Sequence, residues 1–230
     1  FKNRLFETLA VRKAKGFIAP TKYAGEVSAE LFGLHKEQIK TIHYGLDLTQ
    51  FNNEHPEHFE KGLVLYIGTI IRKKGVFELP EIFHKVRNQV PEAQLVLIGG
   101  DSGDVATGSK STWELVKQQF HEKDLQQVSY LGKIPYTEVQ EYIKKANVCV
   151  FPTYAETLGM VTIESMAMQK PVVNSNIGWA QELMEHGKSG FLVHPSQHEV
   201  YAQHIVALVN DKALYENMGN EALRFVANRF

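Results

Sequence analysis

A regular alternation of short apolar segments with helical patterns, beginning near residue 62, limits the fold of this chain more than any other feature. The apolar segments are rich in β-branched residues and predict strands at 63–68, 94–98, 128–131, 148–151, 171–174 and 190–193. Helical patterns lie between them at about 76–89, 112–122, 136–145, 160–169 and 178–186, and two more follow at about 197–209 and 212–228. Parallel strands need a crossover between them, usually a helix. The pattern therefore predicts an α/β fold, a Rossmann-type doubly wound parallel six-stranded sheet.

The N-terminal part of the chain follows a different pattern. It predicts a strand at 17–19, a helix at 21–32 and a strand at 40–43. The segment 52–61 is polar and contains histidine and proline, which is typical of a linker or surface loop. The chain begins at Phe1 in a helical pattern and stops in another, so we expect it to be a piece of a longer protein.

Composition excludes several classes of protein. The 230 residues can bury a full core, and 25 basic side chains balance 26 acidic ones without a basic stripe, so no nucleic-acid partner is expected. No apolar run is long enough to predict a membrane span. The single cysteine, Cys149, lies in an apolar strand pattern, which predicts a small core residue in a reducing, cytoplasmic protein.

Metal and nucleophile motifs give no support to other enzyme classes. From the sequence we identify no cysteine or third ligand near His55 and His58, so we expect this segment to be a solvated loop without a metal ion. The sequence lacks the motifs Gly-x-Ser-x-Gly, His-Glu-x-x-His, Cys-x-x-Cys and a post-strand Gly-x-Gly-x-x-Gly. The absence of these motifs makes a hydrolase, a zinc enzyme or a dehydrogenase less well supported as the function of this chain.

The loop after the first predicted strand of the sheet carries positive charge. Gly68 permits a sharp turn, Arg72, Lys73 and Lys74 lie near the start of the next helix, and Gly75 leaves room for an approaching group. This arrangement favours a diphosphate clamp that needs no metal. An ordinary basic surface loop stays open as the alternative.

Two further loops follow strands at the same edge. In the loop 99–111, Gly103 and Gly108 have P-loop spacing, but Lys110 comes one residue late, so a surface loop is favoured over an ATP site. In the loop 131–135, a glycine after the strand exposes backbone groups that can contact the edge of a flat base.

Glu156 and Glu164 bracket a glycine-containing turn and the start of a helix that follows the strand at 148–151. Ligands of open α/β sheets bind where strands end and helices begin, and the amides of 158–162 add the partial positive charge of a helix N-terminus. Because Glu156 lies in the loop and Glu164 lies in the helix, we expect them to hold different parts of one ligand. The alternative is a solvated helix residue at 164 and a favourable helix-terminal charge at 156.

Together these residues resemble the retaining nucleotide-sugar glycosyltransferases of the GT-B fold, in the group 1 (family four) class. The Glu156-x7-Glu164 spacing, with Leu158-Gly159 inside it, is similar to that family's Glu-x-Phe-Gly-x-x-x-x-Glu signature. Further segments match other patterns of the family at 41–47, 68–75, 150–153 and 178–193.

The resemblance implies roles for the matching positions. Glu164 would hold the ribose, Glu156 would contact the donor sugar, and Lys74 would neutralise the diphosphate, with Glu156 and Lys74 as the catalytic pair. Backbone groups at Lys133 and Ile134 would receive the base. The remaining donor-binding positions would be Gly68, Thr69, Arg72, Lys73, Leu158, Gly159, Met160, Val161 and Thr162.

This sequence departs from the family pattern in two places. Thr69 replaces the usual arginine after Gly68, so Arg72 or Lys73 would have to supply the missing phosphate contact. The insertion at 99–111 is longer than the family's short glycine loop, so no contacts are carried over to it.

The resemblance also implies a domain organisation and an activity. Residues 1–52 would be the remnant of an N-terminal acceptor domain with the interdomain crossing, 53–209 the donor-binding domain and 210–230 a C-terminal helix. The function would be transfer of a sugar, as in a hexosyltransferase, from UDP- or GDP-sugar in polysaccharide or cell-surface glycan synthesis, without metal or cofactor. Membrane association would come only through the missing domain. Another GT-B-type enzyme, such as a sugar-nucleotide epimerase or phosphorylase, or a non-catalytic nucleotide-binding module stays open.

Overall fold

The computed structural model describes residues 2–230, and for residues 2–6 and 12 it describes the backbone only. The N-terminal unit consists of helix α1 (Lys2–Lys13), strand β1 (Phe17–Ala19), helix α2 (Lys22–Phe32), a short 3₁₀ helix and strand β2 (Ile39–Thr41). Strands β1 and β2 pair in parallel. The Thr21 hydroxyl caps α2 by accepting a hydrogen bond from the Ala24 N–H. The two strands and the helix predicted for this part are confirmed, with α1 before them.

Within residues 2–230, the second sheet has six parallel strands in the order β5-β4-β3-β6-β7-β8. The strands are β3 (Leu63–Ile67), β4 (Gln94–Ile98), β5 (Val128–Tyr130), β6 (Val148–Phe151), β7 (Val172–Ser175) and β8 (Phe191–Val193). The helices are α3 (Leu79–Arg87), α4 (Thr112–Lys117), α5 (Glu122–Leu125), α6 (Tyr136–Lys145), α7 (Met160–Ala167), α8 (His198–Asn210) and α9 (Lys212–Arg229). The predicted doubly wound Rossmann-type sheet is confirmed.

Strand β3 shows why both faces of the sheet are covered, because all of its residues are buried. Val64 and Tyr66 pack in the core cluster that includes α3 and α8. Leu63, Leu65 and Ile67 pack in a second cluster that includes α6, α7 and α9. Successive side chains of a strand point to opposite faces, so an uninterrupted apolar run is what this central position requires.

The strand order places a topological switch point between β3 and β6. These strands pair at Val64↔Val148 and Leu65↔Cys149, and the chain runs outward from them in opposite directions. Loops that leave the carboxyl ends of two such strands diverge to the two faces and open a crevice. Both segments that the sequence singled out, 68–75 and 152–159, leave the sheet at this crevice.

Two predicted helices differ from the structure. The helix predicted at 112–122 ends at Lys117 in α4. Phe120 follows as a buried core residue, and a separate short helix, α5, begins at Glu122. The helix at 178–186 is a 3₁₀ helix, Gly178–Glu182. There, the Glu182 carboxylate accepts hydrogen bonds from the N–H groups of Lys22 and Tyr23 at 2.9 and 2.8 Å, so this segment is shaped by docking onto α2.

No helix in the described part of the chain combines the length and apolar character needed to cross a bilayer. The thiol of Cys149 is free and buried in β6, as predicted.

Lys170, directly after α7, is a fully buried cation. Its ammonium donates to the Tyr215 hydroxyl at 3.0 Å and to the Pro56 carbonyl at 3.4 Å, and it lies over the ring of Phe59. Burial lowers the pKa of the Lys170 ammonium to about 8. The folded chain therefore releases this proton at a lower pH than the unfolded chain does.

Between pH 8 and the unfolded lysine pKa, the unfolded state binds more protons, so stability rises with pH. Relative to Lys170→Met, the wild-type chain should gain about 1 kcal/mol of unfolding free energy between pH 8 and 9. Urea denaturation of both proteins at several pH values measures this difference. Burial also raises the pKa of the Cys149 thiol, which acts in the opposite sense in both proteins, and the charge of Lys170 offsets part of this rise in wild type. A difference that stays constant across this range would contradict the prediction.

Candidate functional site

The loops after β3 and β6 are packed into one unit. Gly75 has φ +68°, and a Cβ at this position would lie 1.7 Å from the Pro152 carbonyl oxygen, so only glycine permits this approach. The Lys73 carbonyl accepts hydrogen bonds from the N–H groups of Tyr154 and Ala155 at 2.8 and 3.3 Å. The β3 loop is thereby fixed against the loop that carries Glu156.

Lys74 and Glu156 meet in this crevice as an ion pair, with side chains 21% and 25% exposed. The other oxygen of Glu156 accepts a hydrogen bond from the Thr157 N–H at 2.9 Å. Burial acts to raise the pKa of Glu156, but the hydrogen bonds from Lys74 and Thr157 outweigh it and leave the pKa below its ordinary value. The structure thus brings together the two residues for which the family resemblance implies a catalytic role.

Helix α7 opens directly onto the same loop. Gly159 precedes it with φ +93°, a left-handed conformation that glycine adopts without strain. Leu158 and Thr162 are buried, and the Thr162 hydroxyl accepts a hydrogen bond from the Asn174 amide at 3.1 Å, which ties α7 to β7. Met160 and Val161 are half-buried against the core. The Thr162 N–H donates to the Gly159 carbonyl at 3.0 Å. The amides of Met160 and Val161 have no preceding helical turn to bond to, so they offer donors and partial positive charge.

Glu164 lies in the second turn of α7 and is only 7% exposed. Among the described residues, its Oε2 atom is buried and has no hydrogen-bond partner. Burial raises the pKa of the Glu164 carboxyl, against a smaller lowering by the Tyr136 hydroxyl. The alternative of a solvated helix residue at this position is therefore wrong. An unpaired buried carboxylate oxygen is costly, and a donor that entered the crevice could satisfy it.

Tyr136 connects Glu164 to the loop at 131–135. It is the first residue of α6, and its ring contacts Phe51. In the same loop, the Gly132 carbonyl accepts from the Gly99 N–H at 2.9 Å, Lys133 is exposed and Ile134 packs partly against the core. Tyr136 was missed in the sequence, where its position after Pro135 was the only signal.

Of the three basic residues of the β3 loop, Lys74 is the one that pairs with Glu156. The Arg72 guanidinium donates two hydrogen bonds to Asp104, at 3.0 and 2.8 Å, and stacks 4.1 Å from the ring centre of Phe77. The bonds from Arg72 lower the pKa of Asp104 to about 2, despite its burial. Lys73 and Thr69 are both exposed. In this structure Arg72 thus anchors the insertion at 99–111.

The insertion at 99–111 is itself ordered by Asp101. That carboxylate accepts from the N–H groups of Thr112 and Trp113 at 3.1 and 3.0 Å and from the Ser111 hydroxyl at 2.5 Å. These bonds cap the start of α4. The sequence favoured a surface loop here over a phosphate site. In the structure, its acidic side chains bond to Arg72 and to the start of α4.

Comparison with known proteins identifies a family and a fold. The family described as "Glycosyl transferases group 1" matches residues 49–225. The capsular polysaccharide biosynthesis glycosyltransferase CapM of Staphylococcus aureus is 28% identical over 78% of this chain and 46% of its own length. The D-inositol 3-phosphate glycosyltransferase 1 of Catenulispora acidiphila is 28% identical over 96% of this chain and 55% of its own. The chain spans about half the length of these curated relatives.

Solved structures share the fold of the whole chain. A sucrose-phosphate synthase from Thermosynechococcus elongatus superposes with a TM-score of 0.83 and 26% identity, covering 100% of this chain and 57% of its own. Anabaena Alr3699/HepE in complex with UDP and glucose gives a TM-score of 0.80 at 23% identity, covering 96% and 61% respectively.

Proposed function

Because the chain belongs to the group 1 glycosyltransferases, we propose that it is the nucleotide-sugar-binding half of a retaining GT-B glycosyltransferase. The observation that carries this proposal is the buried, unpartnered carboxylate oxygen of Glu164 at the switch point of the sheet. It lies in the family's glutamate spacing, next to the loop that holds the Lys74–Glu156 pair.

The arrangement supports one orientation of the ligand. The ribose hydroxyls donate to Glu164, and the base lies along the backbone of Lys133 and Ile134, beside Tyr136. The diphosphate lies at the N-terminus of α7, near Lys74, because both offer positive charge and donors. The sugar is then directed toward Glu156. UDP and UDP-glucose are bound by the Anabaena protein with the same fold, so a UDP-sugar is our first candidate, with GDP-sugar second.

The proposed chemistry follows from where charge develops. As the bond between sugar and phosphate loosens, negative charge grows on the departing diphosphate, where Lys74 and the α7 amides stabilise it. Lys74 turns from Glu156 toward the phosphate when the ligand binds, and Glu156 then accepts hydrogen bonds from the sugar. The acceptor hydroxyl enters on the same face, its oxygen bonds to the anomeric carbon as the sugar–phosphate bond breaks, and its proton passes to the departing diphosphate oxygen. The anomeric configuration is thereby retained. No side chain of this chain has to form a covalent intermediate in this scheme.

Lys74→Ala should weaken the binding of a nucleoside diphosphate by about 10- to 100-fold, because a charge-assisted contact to phosphate is worth roughly 1.5–3 kcal/mol. Binding of the corresponding nucleoside should change little. Calorimetric titration with both ligands measures the two effects. Lys110→Ala, an exposed lysine in the neighbouring loop, is the matched control and should bind like wild type. Equal losses for nucleoside and diphosphate would contradict a phosphate contact.

A panel of UDP-, GDP- and ADP-sugars tests the proposed function itself. One of them should raise the melting temperature and bind with 1:1 stoichiometry. Turnover of a bound nucleotide sugar to its epimer, or phosphorolysis of a glycan, would instead support the epimerase or phosphorylase alternative. Nucleotide binding with no chemistry even in the full-length protein would support a non-catalytic binding module.

We propose that a second domain, which supplies the acceptor site, covers the N-terminal unit. A two-stranded sheet is marginal by itself, and residues 17–44 expose several large apolar side chains. These are Ile18 (71% exposed), Val27 (45%), Leu31 (51%), Ile42 (44%) and Tyr44 (56%). A role in capsular or other polysaccharide synthesis rests on the CapM relative, and a cytoplasmic location rests on the single buried thiol of Cys149.

The chain alone should therefore transfer no sugar, because the acceptor site lies in the proposed second domain. A radiolabelled donor assay with simple sugar and polysaccharide acceptors measures this. Transfer at a rate comparable to that of the full-length protein would contradict the two-domain proposal.

A further inference from the structure

The surface turn at residues 55–58 brings three potential metal ligands together. His55 Nδ1 lies 3.4 Å and His58 Nε2 lies 3.8 Å from the same Glu57 carboxylate oxygen. The three ligand atoms all lie within 4.8 Å of one another, and the two imidazole rings stack 5.1 Å apart. Our expectation that no third ligand accompanies the histidines is therefore wrong. Glu57 lies between them in the sequence, and the turn places it beside both.

The backbone of this turn is fixed by buried groups. The Pro56 carbonyl accepts hydrogen bonds from the Tyr215 hydroxyl at 2.8 Å and from the Lys170 ammonium at 3.4 Å. The His58 N–H closes the turn on the His55 carbonyl at 2.9 Å. The ligands thus project from a backbone that is already ordered, so less conformational entropy is lost when an ion binds.

We propose that His55, Glu57 and His58 bind a divalent late first-row transition ion, represented by Zn²⁺. Imidazole and carboxylate ligands suit such ions, whereas Mg²⁺ and Ca²⁺ prefer oxygen ligands alone. At metal–ligand distances near 2.1 Å, a tetrahedral site needs ligand atoms about 3.4 Å apart. The separations of 3.4 and 3.8 Å to Glu57 already approach this value. The two histidine nitrogens lie within 4.8 Å of each other, and rotation of these exposed side chains can close the remaining gap.

The surroundings leave a fourth coordination position open. Both histidines line a surface cavity of about 600 Å³, together with Asn53 and two lysines, Lys144 and Lys145. The charges of these lysines are balanced, since Lys144 pairs with Glu141 at 2.8 Å and Lys145 with Glu60 at 3.8 Å. A water molecule or an external donor can complete the shell in this cavity.

The proposed ion site is separate from the nucleotide site. The turn at 55–58 precedes β3 in the chain, and the nearby Glu60 N–H donates a hydrogen bond to the carbonyl of Lys145, the last residue of α6. The turn therefore lies at the amino ends of the strands. The nucleotide site lies at their carboxyl ends. Occupancy of one should leave affinity at the other unchanged, so the two proposals can fail independently.

Calorimetric titration of Zn²⁺ into tag-free protein near neutral pH tests the site. Wild type should bind one Zn²⁺, and His58→Gln and Glu57→Gln should each weaken this binding by about 10- to 100-fold. His194→Gln, an exposed loop histidine, is the control and should bind like wild type. Co²⁺ should give the visible d–d bands of a four-coordinate ion in wild type and lose them in both variants, while excess Mg²⁺ should not compete.

The variants change exposed side chains, so their melting temperatures without metal should match wild type, and their UDP affinity serves as a folding check. Zn²⁺ affinity that is equal in wild type, His58→Gln and Glu57→Gln would overturn the proposal. Failure of the wild-type chain to bind Zn²⁺ or to give the Co²⁺ bands would do the same.

Discussion

Replacing Glu164 by glutamine should weaken nucleoside diphosphate binding by about 100-fold, equivalent to roughly 3 kcal/mol, while the fold stays intact or becomes more stable. The loss follows because an ionised carboxylate can accept from two ribose hydroxyls and an amide cannot replace both bonds. The stability follows from the buried Oε2 atom, which has no partner among the described residues. A residue that served the fold would show the opposite behaviour.

The pH dependence of Glu164 has a definite sign. Burial raises the pKa of its carboxyl, so the folded state keeps this proton to a higher pH than the unfolded state. Stability contributed by this group is therefore lost as pH rises above the unfolded value of about 4.3. At neutral pH the wild-type chain bears that cost, and Glu164→Gln does not.

Parallel calorimetry and thermal denaturation of wild type and Glu164→Gln measure both effects. Glu138→Gln, an exposed glutamate on α6, is the matched control and should change neither quantity. Undiminished UDP and GDP affinity in Glu164→Gln would remove the assigned role. A large fall in melting temperature would show instead that Glu164 supports the fold.

Gly75→Ala should cost at least about 3 kcal/mol of unfolding free energy and abolish nucleotide binding in the molecules that remain folded. An added Cβ would lie 1.7 Å from the Pro152 carbonyl oxygen, and a backbone atom cannot move aside as a flexible side chain can. The residue also has φ +68°, which is strained for alanine. Separation of the two loops would move Lys74 away from Glu156.

Gly108→Ala isolates the backbone strain from the clash. Gly108 has φ +75°, but an added Cβ there meets no atom within 4 Å. Its substitution should therefore cost only about 1–2 kcal/mol and leave nucleotide affinity unchanged. Urea denaturation of both variants gives the comparison. Similar losses for Gly75→Ala and Gly108→Ala would show that the loops are not held by this close approach.

The strands at the centre of the six-stranded sheet were predictable because each is a local apolar run that is buried on both faces. β3 is the clearest case, with every residue buried. The segment 178–186 was not predictable, because its shape depends on hydrogen bonds from Lys22 and Tyr23 to Glu182, more than 150 residues away in the chain. Local sequence contains no trace of such a contact.

The candidate site was likewise predictable in part, where it depends on local sequence, and not where it depends on distant contacts. The spacing of Glu156 and Glu164 indicated the candidate site, since both positions follow from one strand, one glycine and one helix. The role of Arg72 was open in the sequence, because its partner Asp104 lies 32 positions later in an insertion. The contact of Tyr136 with Glu164 joins two different crossovers and likewise required the fold.

Hydrogen–deuterium exchange with and without saturating nucleotide sugar tests most directly whether the crevice between β3 and β6 is the donor site. The predicted result is slower exchange of the amides at 158–162 and in the loop at 131–136, with no change at 55–60. Protection confined to other segments, or no protection by a nucleotide sugar that binds, would contradict a donor site at the Glu156–Glu164 segment.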